Sequence, residues 1–455
     1  ENALRQLGFS RFTPPETGTP SEVRDKYLSR ADELDAEITR LESEVAALKE
    51  REKEFRLLRD ALSVKKAVLE ARPNFRSDGT VVWYKGYCTS QNAEKLEKAV
   101  PKRFSAAVTV SDPAPDEDVP VVLKNNGFAS PLEGITAMYS LPGKDDIDPT
   151  GVMAFFYYFF FGMMFSDGGY GLMMTLACAF ALIRFGKTMT DARKSFVKMY
   201  LFCGISTTFW GAMYGSWFGD MINVVREDVL FKPPITLALW KDPLQDLLSV
   251  LVVCFIFGLV HLFTGVLISG INSWRHGKKF DAFCQTVPTF LMVLGLAPIF
   301  FSLFTDVPSW MDKVKLWLLI PGVVLVILTG GRESKGIGGK IALGLYSVYD
   351  LFGGYLGDVL SYARLLALGL ATGVIAQVIN MLCVLPGSPA LRVVMLIVVG
   401  AVGHIANFGI NVIGAYVHTN RLQYVEFFGK FYTGGGRPLE PVKGDTRYYT
   451  VKEEN

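Results

Sequence analysis

The sequence predicts a mainly α-helical protein in two parts. A partial arm, with a long antiparallel coiled coil and a small α/β lobe, precedes an eight-helix transmembrane domain with two long tilted C-terminal helices. Three observations predict this. Residues 22–71 contain neither Pro nor Gly and carry a heptad seam. From residue 151 onward long apolar runs alternate with basic loops. The last two runs are far longer than a bilayer requires.

The bulk numbers agree with that division. Half of the 455 residues are hydrophobic and only 20% are charged, with a mean hydropathy of +0.28. Most charges fall before residue 150. A net charge of +2 says little about nucleic acid, but no basic, aromatic-interleaved patch appears, so none is expected as a partner. The six cysteines are scattered without a CxxC or zinc spacing, and read as small core residues. No metal or cofactor is expected. The chain starts Glu-Asn, and reads as a piece whose first portion lies elsewhere.

The arm comes first. Leu34, Ile38, Leu41, Val45, Leu48, Phe55, Leu58 and Leu62 recur at heptad spacing, broken at Glu52. Glu, Lys and Arg flank the seam, as a coiled coil requires. One seam cannot be stable alone, so a partner helix is expected to fold back on it. Residues 80–87 and 104–112 read as strands and 90–100 as a short helix. The domains are therefore 1–72 (coiled-coil arm), 73–124 (α/β lobe), 125–150 (connector), 151–432 (membrane domain) and 433–455 (tail).

Eight apolar segments are expected to span a membrane: 151–165, 170–185, 196–218, 246–271, 283–304, 315–330, 341–385 and 390–432. The loops at 184–194, 274–279 and 331–340 are rich in Lys and Arg. With eight spans these loops share one side with the arm and the C-terminus. The positive-inside rule makes that side cytoplasmic.

The last two segments hold polar residues that hydrocarbon disfavours. The seventh carries Asp350, Asp358 and Arg364; the eighth carries His404, Asn407, Asn411, His418 and Arg421. At ~1.5 Å per residue, Asp350 lies roughly 21 Å nearer the cytoplasm than Arg364, and Asn411 roughly 15 Å nearer the outside than Arg421. Such an offset suits two aqueous half-channels separated by positive charge. The competing reading is that an arginine near a helix end snorkels to the headgroups. His261 and His404 read as hydrogen-bonded packing residues, and Asp167 as a helix N-cap. GGYG and GRESKGIGG lack the pattern of a phosphate loop.

Four stretches, KNNGFASPLEGITAMYSLPGKDDIDPT, FFFGMMFSDGGYG, GDVLSYARLLALGLA and HTNRLQYVEFFGKFY, carry a family resemblance. The chain resembles the membrane subunit of V-type and archaeal-type rotary ATPases, called subunit a in eukaryotes and subunit I in bacteria and archaea. Its short linkers match the bacterial or archaeal form. The resemblance implies a static subunit that translocates ions against a ring of c-type proteolipids and holds no ATP site itself. Arg364 and Arg421 match the family's paired arginines, which act on the ring carboxylate and block leak. Asp350 matches the acid of the cytoplasmic half-channel, with Asp358, His418 and Glu426 as further half-channel groups. Asn411 stands where eukaryotic members have Glu. The implied partners are the proteolipid ring, peripheral-stalk subunits of E/G type, a d/C-type subunit at the central stalk, the ATPase sector indirectly, and lipid. The implied location is a prokaryotic plasma membrane, with arm and C-terminus cytoplasmic. A secondary transporter or a stalk anchor without transport are the alternatives.

Overall fold

The computed structural model describes residues 19–114, 117–306, 308–332, 336–441 and 444–449. The first 18 residues, part of the basic loop 331–340 and the end of the tail lie outside the described residues. The chain divides into two compact units, one formed by residues 1–88 with 440–455 and the other by 89–439.

In the first unit, α1 (Pro20–Glu50) begins at a full capping box. The Thr19 hydroxyl accepts from the Glu22 amide, and the Glu22 carboxylate accepts from the Thr19 amide at 2.9 Å. α1 ends where the heptad pattern breaks, and α2 (Glu52–Ala71) follows after Arg51. The expected single rod is thus two consecutive helices. Among the described residues the seam has no partner helix, so a coiled coil is not formed there. Leu34, Ile38, Leu41, Val45, Leu48, Phe55, Leu58 and Leu62 are all exposed, and no described helix covers them.

A small hairpin follows. β1 (Phe75–Ser77) pairs antiparallel with β2 (Val82–Tyr84), Phe75 opposite Tyr84. Asp78 closes its turn by accepting from the amides of Thr80 and Val81, and Gly79 takes the left-handed backbone the turn needs, φ +93. The second expected strand, 104–112, joins no ladder among the described residues.

The tail is clasped to α2. Asp60, 3% exposed, accepts hydrogen bonds from three successive amides, Arg447, Tyr448 and Tyr449, at 2.9–3.1 Å. Arg59 pairs with Asp60 and with Asp445. Gly444 lies so close to Val64 that a Cβ would come within 2.5 Å of its backbone. Burial by itself would raise the Asp60 pKa. The Arg59 hydrogen bond and the three amides outweigh it, and hold the carboxyl well below the usual range.

The second unit contains α3 (Ser90–Arg103), the connector helix α4 (Glu133–Tyr139) and the helical bundle. The bundle helices are α5 (Thr150–Phe165), α6 (Gly168–Phe185), α7 (Asp191–Tyr214), α8 (Leu247–Arg275), α9 (Lys279–Phe301), α10 (Ser309–Gly330), α11 (Ile337–Ser361), α12 (Ala363–Val384), α13 (Pro389–Met395) and α14 (Ala401–Arg421). Short π-helical turns join α13 to α14 and extend α14 through Leu422–Phe427. The connector is clamped rather than loose. Tyr158 donates to the Phe128 carbonyl, Tyr424 to Ile135 and Tyr432 to Ser140.

All eight expected segments fold as helices, but six described helices are long and apolar enough to cross a membrane by length and composition. These are α6, α8, α9, α10, the 48-residue run Ile337–Val384 and the 42-residue run Pro389–Lys430. The other two differ for physical reasons. α5 has 16 residues and is buried on nearly every side, as a helix apolar all round should be when protein encloses it. α7 opens with Asp191, Arg193, Lys194 and Lys198, which lower its hydropathy. α6 and α7 meet through glycines. A Cβ on Gly211 would fall 1.9 Å from the Gly168 nitrogen, so only this small residue permits the approach.

The clasp predicts that Asp60→Asn raises hydrogen exchange at the amides of Arg447, Tyr448 and Tyr449 without unfolding the bundle. Because the Asp60 pKa is lowered on folding, its stabilisation is complete above the ordinary value of 3.8 and is lost as pH falls through the depressed one. Protection of these amides, corrected for intrinsic rates, should hold at pH 7 and fall only in strong acid.

Candidate functional site

Two polar groups lie inside the apolar bundle, one charged and one neutral. The charged group forms where the seventh and eighth segments meet. Tyr362 interrupts the helix between α11 and α12, and Arg364 stands in the first turn beyond. The Tyr362 ring is buried against Gly258 of α8, where a Cβ would come within 2.5 Å of it. Its hydroxyl bonds Nδ1 of His261 at 2.7 Å. His261 also stacks on Phe427, so it is the hydrogen-bonded packing residue the sequence predicts.

Arg364 is 20% exposed, and its Nη1 approaches Oε1 of the buried Glu426 at 3.9 Å. That is an ion contact beyond hydrogen-bond length. Arg364 also lies close enough to Arg421 to interact electrostatically. His418 senses both arginines. One π-turn later Lys430 pairs with Asp358 and sits over the Tyr355 ring at 4.2 Å. The structure therefore assembles Arg364, Arg421, His418, Glu426 and Asp358 from two distant stretches. It adds Lys430, four residues after Glu426, which the sequence pattern does not single out.

Three further expected residues lie outside this cluster or at its edge. Arg421 is exposed rather than buried, because α14 ends there and its side chain points outward. Asp350 is exposed on α11 and joins none of these contacts among the described residues. Asn411 is buried in the neutral group.

Several buried polar atoms of the charged group make no hydrogen bond among the described residues: Arg364 Nη1, His418 Nδ1 and Asn420 Oδ1. Buried polar atoms are ordinarily satisfied, and leaving one unmade costs about 1–3 kcal/mol.

The neutral group is a chain of hydrogen bonds. Asn411 Nδ2 reaches the Asn407 carbonyl and Oδ1. Asn407 Nδ2 reaches the Tyr170 hydroxyl at 3.0 Å and the Thr372 carbonyl at 3.3 Å. Tyr170 meets His404 Nδ1 at 2.6 Å, and His404 Nε2 meets Asn380 Oδ1 at 2.9 Å. Asn380 Nδ2 bonds the Phe218 carbonyl and Asp220 Oδ1, both at 2.8 Å. Asp220 and the loop after α7 line an open cavity of about 510 Å³. Asp167 holds that loop. Fully buried, it caps α6 through the Tyr170 amide and accepts from Ser216, Phe218 and Gly219. Sequence reading recognised the cap and took His404 as packing. Asn380 and Tyr170 gave no signal, since single polar residues in apolar runs do not reveal their partners. Among the described residues no cluster of His, Cys, Asp and Glu could hold a metal.

Long apolar helices around an arginine, its counter-charges and a buried polar chain are the features of a helical membrane protein. Residues 21–229 match the V-type ATPase 116 kDa subunit family. The chain is 30% identical to A-type ATP synthase subunit I of Methanocaldococcus jannaschii, over 98% of this chain and 68% of that protein. It is 33% identical to A-type ATP synthase subunit I of Pyrococcus horikoshii, over 97% and 66%. It is 28% identical to V-type ATP synthase subunit I 1 of Treponema pallidum, over 71% and 52%. The chain belongs to this subunit I family, and spans about two thirds of the length of its archaeal relatives.

The Asp358–Lys430 pair predicts an asymmetric mutational response. Lys430→Met strands a half-buried carboxylate and should lower stability by about 1–3 kcal/mol. Adding Asp358→Asn should recover part of that loss. Thermal unfolding in detergent of the two single variants and the double variant reads the coupling.

Proposed function

We propose that this chain is the static ion-translocating subunit of an A/V-type ATP synthase, and that Arg364 is the group that works on a carboxylate carried by a proteolipid ring. The observation that carries this reading is the state of Arg364. It lies within a 48-residue apolar run; among the described residues its Nη1 makes no hydrogen bond, and the counter-ion Glu426 stands at 3.9 Å. A purely structural guanidinium in such surroundings would be saturated by acceptors, since it cannot lose its proton.

The mechanism follows from charge. A ring carboxyl facing lipid must be neutral, because a bare anion in hydrocarbon is expensive. Beside Arg364 and the exposed Arg421 the anion becomes favourable. Opposite charges ~4 Å apart gain ~4 kcal/mol at an effective dielectric near 20. The ring carboxyl releases its ion there and is recharged after passing the arginines, whose positive charge opposes direct leak. One elementary charge crossing 100 mV is worth about 2.3 kcal/mol, which couples ion flow to rotation.

Release runs toward Glu426, His418 and the Asp358–Lys430 pair, and on to Asp350 at the surface. Recharging runs by way of Asn411. The basic loops put the first path on the cytoplasmic side of a prokaryotic plasma membrane. The arm helices would dock on E/G-type peripheral-stalk subunits, with a d/C-type subunit at the central stalk. ATP would be handled by the attached ATPase sector and not by this chain.

Ion pumping by the reconstituted complex tests the reading, once the ring is shown to co-purify. Arg364→Lys should slow pumping at least about tenfold, because an ammonium cannot reproduce the planar fork, and Arg364→Gln should abolish it. Full-rate pumping by Arg364→Gln would make the arginine a snorkelling or packing residue.

A further inference from the structure

The neutral chain has a direction, and the direction is locked. A backbone carbonyl can only accept a hydrogen bond. The Phe218 carbonyl takes Asn380 Nδ2, the Thr372 carbonyl takes Asn407 Nδ2, and the Asn407 carbonyl takes Asn411 Nδ2. Each asparagine amide is therefore held in one orientation. The rest follows link by link. Asn380 presents Oδ1 to His404, so Nε2 of that imidazole carries the hydrogen. The Tyr170 oxygen accepts from Asn407, so its hydroxyl hydrogen goes to His404 Nδ1. A second proton on His404 would leave that hydroxyl without an acceptor in the chain. Every donor thus points the same way, from Asn411 to the carboxylate of Asp220, which accepts and ends the series.

The far end is fixed by the same logic. Asn411 Nδ2 is spent on Asn407, through its carbonyl and its Oδ1. What remains is Asn411 Oδ1, an acceptor that receives no donor among the described residues. Aligned hydrogen bonds polarise one another, so the terminal oxygen is a stronger acceptor than an isolated amide.

We propose that Asn411 Oδ1 is the receiving site for the neutral, protonated form of the ring carboxyl, whose O–H donates to it. Asn411 is a positioning residue held by the chain through Tyr170, His404, Asn380 and Asp220. It selects the opposite charge state from the one the arginines select. A carboxylic acid satisfies the oxygen, whereas a carboxylate would set lone pairs against it. No bond is made or broken at Asn411 itself; a carboxylate leaving the arginines takes up its proton from the recharging side before it meets this oxygen. Asn411 precedes Arg421 by ten residues on one helix, so the two selecting sites stand roughly 15 Å apart along it. This inference rests on the reading that Arg364 works on a ring carboxyl.

The test uses the reconstituted complex with Asn411→Leu, Asn411→Gln and Tyr170→Phe, and Arg364→Gln as the control for the underlying reading. Ring co-purification and initial pumping rate are measured for each. Asn411→Leu should slow pumping at least about tenfold with the ring bound. Asn411→Gln keeps both the amide donor and the carbonyl acceptor and should recover part of the rate lost in Asn411→Leu. Tyr170→Phe, which cuts the chain two links away, should slow pumping about two- to fivefold. Wild-type pumping by Asn411→Leu, or an Asn411→Gln variant as slow as Asn411→Leu, overturns the proposal while a dead Arg364→Gln leaves the underlying reading standing. If Asn411→Leu fails to hold the ring, Tyr170→Phe decides: a slowed rate supports the proposal and a wild-type rate overturns it. Full-rate Arg364→Gln removes the foundation of both.

Discussion

A guanidinium cannot give up its proton, and hydrocarbon tolerates its charge poorly. Much of the bundle can be read as the accommodation of that fact. Arg364 stands just after a break in a 48-residue apolar run. The break is fixed by Tyr362, whose ring fits only because Gly258 has no side chain and whose hydroxyl is tied to His261. Phe427 stacks on that same histidine and is the neighbour of Glu426, the counter-charge. Position and partner of the arginine are thus set by one packed aromatic assembly. Rigid aromatic packing of this kind holds a charge in place without saturating it.

The two polar groups solve different problems. The charged group leaves atoms uncommitted, which is costly and therefore informative. The neutral group leaves almost nothing uncommitted, and its cost is met by hydrogen bonds throughout. A fully satisfied buried network rigidifies and specifies the packing around it. Here it ties α6, α12 and α14 to the loop held by Asp167. Charged and neutral groups lie on the same last helix, so their separation is a fixed length of backbone.

The aqueous part shows a smaller version of the same economy. The seam of α1 and α2 stays open to solvent, yet the tail is secured on α2 by one carboxylate that takes three amides. A buried anion is tolerated there because backbone donors and Arg59 surround it.

Length, composition and pattern by themselves determined the helical class, the apolar segments, the cap at Asp167 and the presence of a charge, Arg364, inside an apolar run. Those signals are local: hydropathy is a property of a window, and a charge inside an apolar run is visible without any partner. Only the tertiary structure decided who meets whom. It moved Arg421 and Asp350 to the surface, broke the arm rod at Arg51, and left 104–112 without a ladder. It paired Lys430 with Asp358, and joined Tyr170, Asn380 and His404 across more than two hundred residues of sequence. Hydrogen bonds between distant single residues leave no periodicity to read. Their directions follow only when backbone carbonyls on neighbouring helices come within reach.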